Sequence, residues 1–267
     1  MTNDFKYAPA TFPGLEKLPT GYALDIDGRA DAKREFQELH NELVDYQRAL
    51  YAENSQSLLI VFQALDCGGK DGTIRKVFQG LNPQGVRVAS FKRPSETELE
   101  HDFLWRIHPH APARGMISVF NRSHYEDVLV PLVEEFATKQ LIEQRYRHIN
   151  EFEQCLIDHG TTILKFFLNI SKDEQARRLQ DRLNRPEKRW KFEPQDLQKR
   201  ADWDKYMLAF KSLFDACSPD QAPWYIIPAD DKWYRNLIVT RIIHDAIKEM
   251  DPRYPKSQYD LSGITVE

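Results

Sequence analysis

Ser57-Leu58-Leu59-Ile60-Val61-Phe62-Gln63-Ala64-Leu65-Asp66-Cys67-Gly68-Gly69-Lys70-Asp71-Gly72-Thr73 opens on a continuous apolar run and breaks into a glycine-bearing turn. A run of that kind is what a parallel-sheet strand buried on both faces requires. Gly68 and Gly69 open backbone dihedrals closed to other residues and remove side chains that would keep a polyanion from the amide groups. Lys70 then stands at the start of a helix running to about Gly80, where its ammonium and the helix dipole both favour phosphate. The stretch reads as a phosphate-binding loop. Against the pattern G-x-x-x-x-G-K-[ST], Ala64 replaces the first glycine and Asp71 replaces the hydroxyl residue that holds magnesium. Asp66 is the natural substitute, as a carboxylate on a metal–phosphate complex. The same letters also fit a strand-to-helix turn with no ligand.

At 267 residues the chain has room for one α/β domain with a lid, and two independent cores would be cramped. A net charge of −4 argues against a nucleic-acid-coating protein. Cys67, Cys155 and Cys217 lack zinc spacing and are odd in number, which fits a reducing compartment better than a disulfide framework. Cys67 reads as a small loop residue, since no base is apparent beside it to make it a nucleophile. No signal peptide and no run of about 18 apolar residues appears, so a soluble cytoplasmic protein is expected, away from membranes.

Outward from the loop, residues 1–28 carry Pro9, Pro13, Gly14, Pro19, Gly21 and Gly28 and read as an extended arm whose Phe5, Tyr7 and Phe12 dock on a neighbour. Residues 29–267 form one domain. Phe36, Leu39, Leu43, Tyr46 and Leu50 mark an amphipathic helix ahead of the sheet. Further strands are expected at Val86–Phe91, Met116–Phe120, Thr162–Ile170 and Trp224–Pro228, five in all with the first. Ser95 and Glu98 cap a helix reaching about Ile107, a second helix starts at His124, and Gln195–Cys217 reads as a single amphipathic helix. His101, His108 and His110 lack metal-ligand spacing.

Three more segments carry chemistry. Lys92 and Arg93 follow a strand's carboxyl end, where open α/β sheets bind ligands, although exposed cations there need no ligand. Asn121-Arg122-Ser123 ends another strand, offering a polar metal or water ligand and a guanidinium fork for phosphate, or simply a helix cap. Ser171–Phe192 bears Arg177, Arg178, Arg182, Arg185, Lys188, Arg189 and Lys191, against the acidic balance of the chain. Arg178 and Arg182 stand four apart on one helix face. Such a run is a solvated basic face or, in a phosphate-loop kinase, a mobile lid at about 177–194 that closes over transferring phosphates.

The chain resembles the polyphosphate kinase 2 family from about Arg29 to Met250. The likeness rests on Asp66-Cys67-Gly68-Gly69-Lys70-Asp71-Gly72, Phe120-Asn121-Arg122-Ser123, Arg178 through Phe192, and Ala222-Pro223-Trp224-Tyr225 in that order. It implies a P-loop kinase fold of the thymidylate-kinase type, with a five-stranded parallel sheet between helices and a helical basic lid. It also implies reversible transfer of the terminal phosphate of inorganic polyphosphate to adenine nucleotides, guanine remaining open, with magnesium and in a homo-oligomer, a dimer or a tetramer built from dimers. Carried over by residue, Asp66, Lys70, Arg122 and Arg178 are expected to be catalytic, and Gly68, Gly69, Asp71, Gly72, Thr73, Arg182 and Lys188 to bind phosphate with them. Lys92, Arg93, Asn121, Glu126 and Asp127 are the nucleotide-side candidates, and Asp66 and Asn121 the metal ligands. Many members have Asp at the place of Asn121. Those with Asn there, followed by the Glu126 type of sequence, resemble the subgroup accepting both AMP and ADP. An ATP-dependent nucleoside monophosphate kinase shares the fold and loop. A non-catalytic polyanion-binding module would use the loop and lid, but only Trp190 and Phe192 interleave the basic run as nucleic-acid stacking would need.

Overall fold

The computed structural model describes residues 2–22, 28–260 and 262–266. Residues 1 and 23–27 of the expected arm, and 261 and 267 of the expected domain, lie outside the described residues. The elements run α1 (Arg29–Glu53), β1 (Ser57–Gln63), α2 (Lys70–Val77), β2 (Val86–Ser90), α3 (Glu96–Leu99), β3 (Ile117–Asn121) and α4 (Glu126–Val133). They continue as α5 (Lys139–Asp158), β4 (Thr161–Asn169), α6 (Lys172–Asn184), α7 (Gln195–Ala201), α8 (Trp203–Ala216), β5 (Trp224–Pro228) and α9 (Lys232–Met250).

All five strands pair in parallel, in the order β2-β3-β1-β4-β5. β1 therefore lies at the centre, with every residue from Ser57 to Gln63 buried, as its unbroken apolar run demands. Its pleat divides the core in two. Leu59 and Val61 face a layer containing α4, α5 and α8, while Leu58, Ile60 and Phe62 face one containing α1, α2 and α9. The chain leaves β1 for β2 on one side of the sheet, and after β3 it crosses to β4 on the other, so the carboxyl end of β1 opens at the place where strand order reverses. That is where such sheets bind ligands.

Four local expectations change in the structure. The helix at Ser95 has its capping box but stops at Leu99. Asp102 then accepts the Leu104 amide at 3.0 Å, a local bond that competes with helix continuation. The helix expected from His124 starts at Glu126, because the Ser123 hydroxyl accepts the Tyr125 amide at 3.2 Å. The expected Gln195–Cys217 helix is two helices that meet at Asp202, which lets α7 turn toward the loop while Phe210 and Phe214 of α8 stay in the core. Tyr7 docks within its own chain: its amide bonds the Trp224 carbonyl at 2.8 Å, and its ring is 5.4 Å from that of Phe214. With the Lys6–Tyr225 antiparallel bridge, residues 6 and 7 cover the free edge of β5.

Beneath the sheet's carboxyl edge lies a buried polar cluster. Lys165 of β4 donates to Glu153 at 2.6 Å, to the Tyr125 hydroxyl at 3.0 Å and to the Cys217 carbonyl at 2.8 Å. Glu153 also accepts from Tyr125 at 2.7 Å and contacts His124 at 3.3 Å. Burial alone would raise the Glu153 carboxyl, but Lys165 and His124 hold it below the ordinary range. Removing one partner leaves a buried charge uncompensated, whereas removing both does not. Lys165→Met is therefore expected to lose about 3–5 kcal/mol of stability by urea unfolding, and Lys165→Met with Glu153→Leu to recover most of it.

Candidate active site at the carboxyl edge of the sheet

The turn after β1 is closed by the Gly68 amide bonding the Leu65 carbonyl at 3.0 Å. A Cβ on Gly68 would fall 2.4 Å from the Ala64 Cβ. The side chain at the pattern's first position thus occupies space that Gly68 leaves empty. Gly69 has φ +103°, and a Cβ there would meet the Arg235 guanidinium at 2.1 Å. Cys67 and Arg122, neither a glycine, also have positive φ, at 63° and 61°. Two strained backbone positions on adjacent strand ends are held by the packing around them.

Asp66 is the hub of the charges. Its carboxylate accepts from Arg122 at 2.7 Å and from Lys199 at 3.1 Å, so the β1 loop, the β3 end and α7 converge on one side chain. Burial would raise this carboxyl, but the fields of Arg122, Lys70 and Lys199 outweigh it and hold the group down at about 2. Lys70 is buried and donates to the Ala64 carbonyl at 2.8 Å. Desolvation, helped by the nearby Arg122 charge, lowers its ammonium to about 8 despite Asp66, Glu126 and Asp71. Arg122 itself is raised by Glu126 and Asp66 against its burial. Asn121 donates to one oxygen of Asp71 at 2.8 Å, and Lys191 to the other at 2.7 Å. The basic segment therefore touches the loop through Lys191. Arg182 is tied to Asp196 at 2.9 Å, whose carboxyl burial and the nearby Asp66 push up.

Arg178 has another arrangement. Its Nε donates to Glu174, Nη1 to the Cys67 and Gly68 carbonyls, and Nη2 to the Ala229 and Asp230 carbonyls. Those five bonds use all five guanidinium donors. In this conformation Arg178 stitches the loop to the β5–α9 turn. Thr73 is likewise engaged, its hydroxyl donating to the Gly69 carbonyl at 3.1 Å. Lys188 pairs with Asp181 at 2.8 Å within the basic segment. Asp127 is part-buried under Arg106 at 3.1 Å, and Arg106 also donates to the Lys92 carbonyl at 2.8 Å. The side chains of Lys92 and Arg93 are exposed.

The structure thus gathers Asp66, Lys70, Asp71, Asn121, Arg122 and Glu126 at one place and leaves Asp127, Lys188, Lys92 and Arg93 outside that cluster. It adds Lys199, Asp196 and Arg235, which sequence reasoning did not single out. Lys199 and Asp196 sit on an unremarkable polar helix face, and Arg235 reads as one more charged residue at a helix start. For the thiol of Cys67, burial raises its titration, which disfavours a thiolate nucleophile.

A five-stranded parallel sheet with a glycine loop, a buried lysine and a basic helical segment at its carboxyl edge defines a phosphate-loop protein of the kinase type. The model of the polyphosphate kinase 2 family matches residues 27–255, and the chain belongs to that family. It is 52% identical over 229 residues to an AMP/ADP-polyphosphate phosphotransferase of Meiothermus ruber, with 86% of each chain covered. It is 43% identical to an ADP-polyphosphate phosphotransferase of Rhodopseudomonas palustris, over 96% of this chain and 93% of that one. The crystal structure of polyphosphate kinase 2 from Arthrobacter aurescens TC1 superposes with a TM-score of 0.85 at 40% identity, covering 96% of this chain and 94% of that one.

Gly69→Ala is expected to cost about 1–2 kcal/mol from the left-handed backbone alone. It also displaces Arg235, so chemical denaturation should show a larger loss than for Gly28→Ala, which has φ +120° but nothing within 4 Å among the described residues.

Proposed function

We propose that this protein transfers the terminal phosphoryl group of inorganic polyphosphate to AMP and to ADP, forming ADP and ATP, in a reversible reaction. The observation that carries the reading is the convergence of Lys70, Arg122 and Lys199 on a loop carboxylate that stays ionised. A terminal oxygen of the nucleotide phosphate attacks the end phosphorus of the donor. The new P–O bond forms as the bridging P–O bond breaks, and the shortened polyphosphate leaves with the electron pair. Such transfer needs alignment and charge neutralisation more than covalent help.

In this reading Lys70 and Arg122 neutralise the transferring group. Asp66, held near 2, carries no proton at neutral pH, so it orients Arg122 and Lys199 and does not act as an acid. Arg178 holds the loop in shape and Lys191 brings the basic segment to it. Asp66, Asp71 and Asn121 carry the oxygen donors that would hold magnesium, an ion that retains waters and is completed by substrate phosphates, although among the described residues no group of three or more His, Cys, Asp or Glu side chains is gathered as a metal cage. Magnesium bound there would neutralise phosphate charge. The likeness to the Meiothermus ruber relative supports AMP as well as ADP as acceptor. Free thiols at Cys67, Cys155 and Cys217 support a reducing, cytoplasmic setting, and no helix among the described residues is long and apolar enough to cross a membrane. A homo-oligomer is part of the proposal through the family likeness.

The test is nucleotide analysis after mixing pure protein, magnesium and long-chain polyphosphate with AMP or ADP in the absence of ATP. ADP followed by ATP from AMP is expected. ATP from ADP alone would remove AMP from the acceptor range, and transfer only on adding ATP would identify a monophosphate kinase. Lys70→Ala and Asp66→Asn are each expected to lower kcat at least about a hundredfold in folded protein. A near-normal rate would exclude that residue.

The lowered Lys70 ammonium also sets a pH dependence. The cation is present below about 8 and lost above it, so kcat/KM for polyphosphate should be flat below that pH and fall about tenfold per unit above it. A bound polyanion favours the charged lysine, so the same limb in kcat lies higher. Lys70→Arg, whose charge does not titrate in this range, should abolish the limb at a lower rate.

A further inference from the structure

Beyond the edge of β5, the N-terminal arm runs on to the turn between β5 and α9. The Asp230 amide donates to the Thr20 carbonyl at 2.8 Å, and the Tyr22 amide donates to the Asp231 carboxylate at 2.9 Å. A Cβ on Gly21, between them, would come within 3.4 Å of that carboxylate. The Tyr22 ring lies 5.0 Å from the ring of Trp233 and 5.4 Å from that of Tyr234. Asp231 stands just before the first turn of α9, where an aspartate ordinarily accepts an amide of its own helix. It makes no such capping bond. Its carboxylate serves the arm in place of the helix.

The phosphate loop leans on the same turn. Arg178 donates to the Ala229 carbonyl at 2.6 Å and to the Asp230 carbonyl at 3.0 Å on one side. On the other it donates to the Cys67 and Gly68 carbonyls at 3.0 Å and 3.2 Å. Ser171, the cap of the helix that carries Arg178, donates its amide to the Asp230 carboxylate at 2.8 Å. The Arg235 amide bonds the Asp231 carbonyl at 3.0 Å, and the Arg235 guanidinium packs against the loop, 2.1 Å from where a Cβ on Gly69 would be. Among the described residues, the only side chain that this guanidinium hydrogen-bonds is the neutral Asn236. Its place is therefore set by the start of α9 and not by a charge partner. A shift of the turn moves both groups that hold the loop from this side. Cys67, at φ 63°, keeps its strained backbone only while the packing around it over-determines the conformation.

We infer that Thr20, Tyr22 and Asp231 are positioning residues for phosphoryl transfer: the docked arm fixes the β5–α9 turn, the turn fixes Arg178 and Arg235, and these hold the loop in its phosphate-binding shape. When the Tyr22 bond is lost, the Asp231 carboxylate can rotate onto the amides of its own helix. The turn then has a second arrangement, in which Arg178 keeps fewer of its carbonyl partners. The loop spends part of its time out of shape, and a bound phosphate chain selects the shaped fraction. The catalytic consequence rests on the transfer proposed above, whereas the coupling of arm to loop does not.

The test uses the full chain. Tyr22→Pro lacks the amide and Asp231→Ala lacks the acceptor, so the bond is broken from opposite ends, while Asp231→Asn retains an acceptor oxygen. Hydrogen exchange read by mass spectrometry compares residues 64–72 with β1 and with α5. Exchange in 64–72 should quicken about tenfold in Tyr22→Pro and in Asp231→Ala, and stay within about threefold of native in Asp231→Asn. Exchange in β1 and α5 should not change. The double variant Tyr22→Pro, Asp231→Ala should match either single, since both remove one interaction. In turnover, the apparent KM for polyphosphate should rise by the same factor, about tenfold, with kcat at saturating donor within about twofold of native, because the donor restores the shaped loop. A role confined to folding would instead lower kcat through loss of active protein and leave KM unchanged.

Native exchange of residues 64–72 in both single variants overturns the coupling, as does quickening of β1 and α5 by the same factor. A double variant whose effect is the product of the two singles overturns the Tyr22–Asp231 bond as the link. Lowered kcat at unchanged KM overturns the positioning role in catalysis. If the native protein does not transfer from polyphosphate, the turnover readout fails with the proposed function, and the exchange ratios still decide whether the arm shapes the loop.

Discussion

Cations gathered around one loop repel one another, and the Asp66 carboxylate keeps them together. Lys70, Arg122 and Lys199 come from a helix start, a strand end and a distant helix, and each gains from the same buried anion. Without it, Lys70 would have only Glu126 and Asp71 to set against burial and the field of Arg122, both of which lower its charge. In the proposed reading, the field of these cations lies where the transferring phosphoryl group would carry negative charge. That field is set before substrate arrives, so little reorganisation is needed during transfer.

The backbone is organised around the same need. Gly68 and Gly69 bring the chain close to Ala64 and Arg235, and Cys67 and Arg122 accept positive φ within a few residues of the charges. Arg178 then ties the loop to the β5–α9 turn through four carbonyls. The loop's shape depends on tertiary bonds made by a residue more than a hundred positions downstream. Below it, the Lys165–Glu153–Tyr125 cluster fixes the segment that follows Arg122. The first support joins strand ends that the sheet brings side by side, and the second ties the middle of β4 to α5 and to the residue before α4.

The basic segment has a divided role. Arg178 and Lys191 contact the loop, Arg182 and Lys188 pair within or beside their own segment, and Arg177 pairs with Glu174. Its charge density overstates the cations open to a ligand. The groove between α2 and α9 differs: its residues draw no notice in the sequence, yet among the described residues no carboxylate lines it.

Local chemistry was legible in the chain itself. The five strands, the phosphate loop with Lys70, the Ser95 and Ser171 caps and the placing of Arg122 at a strand end all follow from apolar runs, glycines and capping residues. Those signals act over a few neighbouring positions, and the fold and the centre of the site could be read from them. Helix breaks at Leu99 and Asp202 were not legible, because one side-chain bond or one kinked residue leaves the apolar periodicity intact. Nor were the partners of Asp66, the full engagement of Arg178 or the isolation of Arg235, since charge pairing depends on distances between segments far apart in the chain. Only the folded sheet, by bringing β1, β3, α6, α7 and α9 to one edge, decided which cations are neutralised and which face open space.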